Sequence, residues 1–300
     1  MEWSQIVGFY HVAKLGSFTK AAEATFKTQS ALTHQIKSLE TELNCLLFER
    51  IGKRRILLTP AGERFYEFAE FLIEKYNYLL EDLNEMKGVK KGQLKIAAPF
   101  TTLYHLLPTT IKAYVKLFPW VELTILDRSQ QNVIQLVKEG EIDFGLVLES
   151  LAPKELICMR WKQTEVVLMV SKNHPLTKEK QVKLEQVAQY PLIFPPKSAL
   201  FYGRKRLEEL FSHLDIEYRV VMESSNVELS SVYSEMGLGV SFATIVKSLP
   251  TIQKRNLRYI SLNHYFEPEY IALVMRKDKV LPSFKKDFIN VLFEKHKLEE

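Results

Sequence analysis

The chain has 300 residues, of which 46% are hydrophobic and 26% charged, and its net charge is +5. That composition is ordinary for a soluble globular protein of two or three domains. The amino-terminal MEWSQ lacks the features of a signal peptide, and no apolar stretch approaches the roughly 18 residues that span a bilayer, so we expect a cytoplasmic protein. The two cysteines, Cys45 and Cys158, form no disulfide framework, and we expect both thiols to be buried and inert.

The first 25 residues predict two helices joined by a glycine turn. Apolar residues between 3 and 14 recur at the spacing of one helix face, and Gly16 interrupts the pattern. Ser17 can then cap a second helix over FTKAAEAT, because its side-chain oxygen accepts from an unpaired backbone N–H.

A third helix is predicted over residues 28–40, TQSALTHQIKSLE, with Thr28 as its cap. Its buried face is expected to hold Leu32, Ile36 and Leu39, together with the following Leu43. A helix of about eight residues, a tight turn and another helix is the helix-turn-helix arrangement, whose second helix enters the major groove of DNA.

Basic residues cluster just after the third helix. RIGKRR, residues 50–55, holds four of them and no acid, and the surrounding FERIGKRRILLT alternates enough to form a hairpin that turns at Gly52. The sequence therefore predicts a basic wing beside the recognition helix.

One long helix is predicted from Pro60 to Gly88, with Thr59 as its cap. Roughly 28 residues at about 1.5 Å each extend about 42 Å, which is long for a small domain. Steps of four and three residues define an apolar seam: Phe65, Ala69, Leu72, Tyr76, Leu79, Leu83 and Met86. We expect this seam to pair with a second copy of the helix, the alternative being a helix packed on its own chain.

After the linker GVKKGQ, residues 88–93, apolar strands alternate with helices. This pattern predicts an α/β region with largely parallel sheets, and it contains enough strands for two lobes. The predicted strands are LKIAAP, VELTILD, DFGLVLE, VVLMVS, PLIFPP, EYRVVME, GVSFATI and YIALVMR, and the predicted helices lie near 101–118, 130–139, 183–188, 203–212, 226–236 and 282–298.

The segments GSFTKAAEA, TQSALTHQIKSLETEL, LFER and LTPAGE closely resemble the amino-terminal signature of LysR-type transcriptional regulators. LLPTTIKAYVKLFPWVELTI, LVKEGEIDFGLV and EMGLGVSFAT extend the resemblance over nearly the whole chain. Three residues depart from the usual pattern, since Ser30, His34 and Asn44 stand where the family usually has Pro, Arg and Gly. His34 cannot make the bidentate contact of an arginine with guanine.

The resemblance implies an α-rich winged helix-turn-helix domain at the amino terminus and a two-lobed α/β effector domain like a periplasmic binding protein. The expected bounds are 1–58 for the DNA-binding domain, 59–88 for the dimerisation helix and 89–300 for the effector domain, with lobe I about 92–162 and 268–300 and lobe II about 163–267. A homotetramer, built as a dimer of dimers, is the expected assembly.

The DNA contacts are expected on the third helix and the wing. Glutamine can read adenine, hydroxyls suit base edges or phosphates, and lysine and arginine suit phosphates or the minor groove. The predicted DNA-binding residues are Thr28, Gln29, Ser30, Thr33, His34, Lys37, Arg50, Lys53, Arg54 and Arg55. Since a dimer presents two such surfaces, we expect an imperfect inverted repeat as target, with RNA polymerase as a further partner.

An effector site is expected at the carboxyl ends of the strands, where ligands of open α/β sheets bind. The helix that begins at Phe100, Thr101 and Thr102 offers backbone N–H groups and two hydroxyls, which suit a small organic anion. The remaining predicted effector residues, which the family resemblance also indicates, are Ser129, Gln130, Gln131, Phe201, Tyr202, Asn226, Val227 and Phe242. For each residue the alternative is a capping or core role.

Two other classes of function stay open. An enzyme is compatible with a bilobed fold, but the sequence has no GxSxG, HExxH or P-loop motif, and its seven histidines show no metal-ligand spacing. An architectural DNA-binding protein would leave the large two-lobed region without a role. We expect no catalytic residue, no metal and no resident cofactor, and a structural role for His105.

Overall fold

The computed structural model describes residues 1–51, 55–87, 91–197, 202–246 and 255–297. The chain divides into two compact units, Met1–Val89 and Lys90–Glu300. Among the described residues, no helix is both long enough and apolar enough to cross a membrane.

The elements alternate between helical and strand-rich stretches along the chain. The helices are α1 Trp3–Leu15, α2 Phe18–Ala24, α3 Gln29–Leu43, α4 Pro60–Met86, α5 Phe100–His105, α6 Pro108–Leu117, α7 Gln130–Lys138, α8 Leu184–Val187, α9 Tyr202–His213, α10 Val227–Glu235 and α11 Ser283–Lys297. The strands are β1 Phe48–Ile51, β2 Arg55–Leu58, β3 Gly92–Ala98, β4 Val121–Asp127, β5 Phe144–Leu148, β6 Leu156–Ser171, β7 Leu192–Phe194, β8 Val220–Glu223, β9 Val240–Ile245, β10 Leu257–Ser261 and β11 Glu269–Arg276.

The caps predicted from the sequence form in the amino-terminal unit. The Ser17 hydroxyl accepts from the Lys20 N–H at 3.3 Å, and the Thr28 hydroxyl accepts from the Ala31 N–H at 3.2 Å. Phe9 is fully buried at the centre of the core formed by α1, α2, α3 and the hairpin β1–β2. Leu43 is exposed, so its predicted place on the buried face of α3 is wrong, because the core ends one turn earlier at Leu39.

The start of α4 is joined to the segment before the hairpin. The Thr59 hydroxyl donates to the Leu46 carbonyl at 2.7 Å and accepts from the Gly62 N–H at 2.9 Å. One side chain therefore caps α4 and fixes the helix against the segment that precedes the wing.

The carboxyl-terminal unit is a mixed sheet centred on β6. Strands β3–β4, β3–β5, β7–β8 and β7–β9 pair in parallel, whereas β6 pairs antiparallel with β9, β10 and β11, as does β11 with β5. The expectation of largely parallel sheets is therefore wrong at the centre.

The sixteen-residue β6 connects the two lobes. Its first half, up to Thr164, pairs with β11 and joins β3, β4 and β5 as lobe I, and its second half pairs with β9 and β10 as part of lobe II. Each lobe has its own apolar core, with Phe288 fully buried in one and Phe211 in the other.

Two further predictions need correction, one for this unit and one for the cysteines of both units. The helix expected over 101–118 is two helices, because α5 ends at His105 and Pro108 begins α6. Both cysteines are exposed free thiols, so the expectation of buried thiols is wrong for Cys45 and Cys158.

A buried ion cluster stabilises lobe I. The Asp143 carboxylate lies 2.8 Å from Lys279 Nζ and 3.1 Å from Lys285 Nζ, and it accepts the Lys95 N–H at 2.8 Å. Burial opposes ionisation of Asp143, but the two ammonium groups and the backbone donor outweigh it and lower its pKa. Folding therefore favours the charged carboxylate.

Candidate DNA-reading surface and effector cavity

Helix α3 has a buried face and a polar face, as its sequence predicts. Leu32, Ile36 and Leu39 are buried against the amino-terminal core. The opposite side carries predicted DNA-binding residues whose side chains are exposed: Thr28, Gln29, Ser30, His34 and Lys37. Thr33 is half-buried, and its hydroxyl donates to the Gln29 carbonyl at 2.8 Å.

The end of α3 explains one departure from the usual family sequence. Asn44 follows the helix with φ +51°, in the left-handed region that asparagine tolerates better than most residues other than glycine. Beside it, the Glu40 carboxylate accepts the Leu47 N–H at 2.8 Å and the Phe48 N–H at 3.2 Å. These contacts orient the first wing strand relative to the recognition helix.

The turn before α3 contains two residues that sequence reasoning did not single out. Phe26 has φ +54° and a fully exposed ring. Lys27 instead points inward, where its ammonium donates to Gln35 Oε1 at 2.9 Å and to the Ser4 carbonyl at 3.5 Å. Lys27 therefore ties α3 to α1, a role that a basic residue next to a recognition helix does not reveal in sequence.

The wing is a two-stranded antiparallel hairpin, β1 with β2. The predicted contacts Lys53 and Arg54 fall outside the described residues. Arg50 and Arg55 lie in the two strands, and their side chains are likewise outside the described part.

The apolar seam of α4 has two parts, one packed in the amino-terminal core and one exposed to solvent. Ala69 is fully buried in its own amino-terminal unit, so its predicted place in a contact between chains is wrong, and Phe65 and Leu72 pack partly against the same core. Farther along, the Tyr76 ring lies 4.7 Å from the Trp3 ring, between centroids. The exposed apolar side chains of the helix are Phe68, Phe71, Tyr76, Leu79, Leu80, Leu83 and Met86.

A cavity of about 420 Å³ opens between the two lobes of the carboxyl-terminal unit. Helices α5, α7, α9 and α10 follow strands β3, β4, β7 and β8, and each contributes residues from its amino-terminal end to the wall. Helix amino termini carry partial positive charge and unpaired N–H groups. The fold therefore brings four such ends to one cavity.

Most predicted effector residues line this cavity. Those in its wall are Phe100, Thr101, Thr102, Ser129, Gln130, Asn226, Val227 and Phe242. Gln131 lies on α7 outside the lining. Phe201 is outside the described residues, and Tyr202 begins α9 with a side chain that is not described.

Sequence reasoning missed a charged pair in the wall. Arg206 of α9 lies 3.6 Å from the Glu269 carboxylate, and its guanidinium stacks over the Phe266 ring at 4.9 Å. Glu269 also accepts from the Ser150 hydroxyl, and its carbonyl accepts from Thr164 at 3.1 Å. The position of Arg206 in the first turns of a predicted helix was the available signal.

Two residues of α5 contact an acidic residue of the other lobe. The Thr101 hydroxyl donates to Glu228 Oε2 at 3.2 Å, and His105 Nε2 lies 2.7 Å from Glu228 Oε1. The imidazole is 3% exposed, so His105 is the satisfied structural residue that its isolated position predicts.

A winged helix-turn-helix unit joined to a two-lobed ligand-binding fold defines a ligand-responsive regulator of transcription. The chain belongs to the LysR family: residues 3–63 match "Bacterial regulatory helix-turn-helix protein, lysR family", and residues 87–297 match "LysR substrate binding domain".

Its relatives are themselves named as transcriptional regulators. The chain is 30% identical to the HTH-type transcriptional regulator CysB of Burkholderia cenocepacia over 280 residues, covering 92% of this chain and 88% of that one. It is 26% identical to the regulator cbl of Escherichia coli over 276 residues, covering 92% and 86%.

Solved structures show the same fold. The cofactor-binding domain of the Cbl transcriptional regulator matches with a TM-score of 0.59 at 25% identity, over 68% of this chain and 89% of that one. Full-length CbnR in complex with its target DNA matches with a TM-score of 0.53 at 22% identity, over 97% and 98%.

Proposed function

We propose that this LysR-type regulator binds paired DNA half-sites as a dimer and responds to a small organic acid held between its lobes. The observation that carries the effector proposal is the meeting of four helix amino termini at one cavity. Their partial charges favour an anion, and no resident cofactor is needed for this response.

The wall chemistry supports an organic acid over a bare inorganic ion. Apolar side chains such as Phe100, Ile193 and Phe242 cover much of the lining, and hydroxyls of Thr101, Thr102 and several serines interrupt it. Ligand sites of this kind hold an apolar body and fix its orientation through a few polar groups. We therefore assign the acid group to the hydroxyl-rich helix ends and the carbon skeleton to the apolar wall.

On the DNA side, the exposed polar face of α3 supports major-groove reading, and the basic hairpin supports backbone or minor-groove contacts. A structural relative of the same fold is described in complex with its target DNA, which agrees with this proposal. A DNA-binding regulator works beside the chromosome, which supports a cytoplasmic location.

The exposed apolar stripe of α4 supports dimerisation through that helix. Tyr76, Leu79, Leu83 and Met86 leave large apolar surfaces in water in the single chain. Pairing two copies would bury them and would present two recognition helices together. We extend this to a dimer of dimers that contacts RNA polymerase when it activates transcription.

The cavity chemistry gives little support to an enzyme. The Thr101 hydroxyl donates to a carboxylate, and His105 contacts that same carboxylate rather than the hydroxyl. An imidazole activates a nucleophilic hydroxyl only from within hydrogen-bond reach of its oxygen, and His105 is paired with Glu228 instead. This pattern favours binding over catalysis.

Calorimetric titration of the full-length protein tests the effector proposal. Acetate, succinate and phenylacetate are compared with the corresponding neutral amides, and with Thr101→Val and Thr124→Val variants. We expect saturable heat with at least one acid and an affinity about tenfold weaker in Thr101→Val, which corresponds to about 1.4 kcal/mol. Thr124 lies on β4 outside the cavity lining, so Thr124→Val should bind like wild type. Heat from amides but from no acid would contradict the proposal.

A further inference from the structure

The contact between α10 and α5 joins the two lobes at the edge of the cavity. Glu228 stands in the first turn of α10, which packs on β6, β9 and β10. Both of its carboxylate oxygens are engaged by α5 of lobe I, one by Thr101 and the other by His105. The Glu228 side chain is 19% exposed, so little water competes with these contacts.

Thr101 is also one of the residues that line the cavity. A threonine hydroxyl has one proton to donate, and here that proton goes to Glu228. An acid bound against Thr101 would bring a second negative charge close to the first, and two neighbouring carboxylates repel. Glu228 and an effector acid therefore cannot both hold the Thr101 hydroxyl.

We propose that Glu228 competes with the effector for the Thr101 hydroxyl. Its contacts with Thr101 and His105, called the clasp below, also hold the two lobes together. In this structure its carboxylate occupies the donor that an incoming acid group needs. Binding of that acid displaces Glu228 from Thr101, weakens the connection between α5 and α10, and changes the angle between the lobes. The competitor role rests on the proposed function, whereas the clasp does not depend on which ligand binds.

The chain provides a matched control on the same helix. Glu235, at the end of α10, accepts from Arg255 at 3.1 Å and from the Asn256 N–H at 2.9 Å. These partners belong to the segment that leads into β10 of lobe II, so Glu235 is also an engaged acid, held by groups outside α5. Replacing it tests the loss of a carboxylate on α10 without loss of the clasp.

The clasp is tested by the distance between the lobes in the full-length protein. Spin labels are attached at Asn132→Cys on α7 and Lys205→Cys on α9, both exposed, after Cys45 and Cys158 are changed to serine. Labelled chains are diluted with unlabelled ones so that the distance within one chain is measured. We expect Glu228→Ala to shift or broaden the distance distribution by several ångströms relative to wild type, and Glu235→Ala to leave it unchanged. A distribution for Glu228→Ala that coincides with wild type, in a protein with wild-type circular dichroism, would overturn the clasp.

The competitor role is tested by calorimetry with acetate, succinate and phenylacetate. We expect Glu228→Gln to bind at least one of these acids at least fivefold more tightly than wild type, while Glu235→Gln binds it as wild type does. Equal affinities in wild type and Glu228→Gln would overturn the competitor role even if the acid binds. Absence of binding to both proteins would contradict the acid-effector proposal instead, and the distance measurement would still decide the clasp.

Discussion

Gly62 approaches Leu47 so closely that a Cβ atom at Gly62 would lie 2.0 Å from the Leu47 carbonyl oxygen. Leu47 precedes the first wing strand, and Gly62 lies in the first turn of the long helix α4. The close approach, together with the Thr59 cap, fixes the first turn of α4 relative to the wing. No side chain larger than hydrogen fits at residue 62 without moving backbone.

We predict that Gly62→Ala destabilises the amino-terminal unit by about 3 kcal/mol, because overpacking against a backbone atom cannot be relieved by a rotamer change. The unfolding temperature and the affinity for DNA should both fall. Gly203→Ala is the control, since a Cβ there meets nothing within 4 Å and alanine favours a helix by about 0.5–1 kcal/mol. Equal unfolding temperatures for the two variants would refute the constraint at Gly62.

Lys37 and Lys27 flank the recognition surface but should affect DNA binding differently. Lys37 is exposed on α3, so Lys37→Ala should weaken binding to operator and random DNA alike. It should also reduce the magnitude of the negative slope of log K against log salt by about 0.9. Lys27 is held by Gln35 and Ser4, so Lys27→Ala should weaken operator binding and leave that slope unchanged. Fluorescence anisotropy at four salt concentrations measures both slopes, and a reduced slope for Lys27→Ala would show that its ammonium reaches phosphate.

The exposed stripe of α4 predicts where the dimer is most sensitive. Leu79→Glu combined with Leu83→Glu should give a folded monomer in analytical ultracentrifugation, because two charges per helix would enter an apolar contact. Asn77→Glu adds a charge to the same helix beside the stripe and should leave the dimer intact. A double variant that sediments like wild type would exclude this stripe as the dimer contact.

The Asp143 cluster predicts a pH dependence of stability. The pKa of Asp143 is lowered in the folded protein, so its contribution is present above the unfolded pKa, near the ordinary 3.8, and is lost as pH falls through the lower folded pKa. The difference in unfolding temperature between wild type and Asp143→Asn should therefore be large at pH 7 and shrink below about pH 4. A difference that stays constant from pH 7 to pH 3 would contradict the ionised cluster.

Local sequence signals predicted the amino-terminal unit well, because its caps are encoded within three residues of the donors they satisfy. Ser17, Thr28 and Thr59 all accept the backbone N–H of the residue three positions later. The division of the α4 seam was not predictable in this way. Ala69 fits a coiled-coil position by spacing, and only the docking of α4 on α1 shows that this part of the seam is already buried.

The carboxyl-terminal unit was likewise predictable only where the signal is local in sequence. The wall residues at helix amino termini were predictable because ligands of α/β folds bind where strands end. Only the second part of β6 was predicted and β10 was not predicted at all, because their pairing with distant strands is not visible in local hydrophobicity. The contact between Thr101 and Glu228 spans 127 positions in sequence, and no local pattern links them.

Selection of bound sequences from random duplex DNA, followed by footprinting of the full-length protein, tests the central claim most directly. Two recognition helices joined by an α4 dimer should enrich an imperfect inverted repeat whose half-sites are separated by about one helical turn of 10–10.5 base pairs or a multiple of it. Enrichment of a single unpaired half-site, or no enrichment over random duplex, would contradict it.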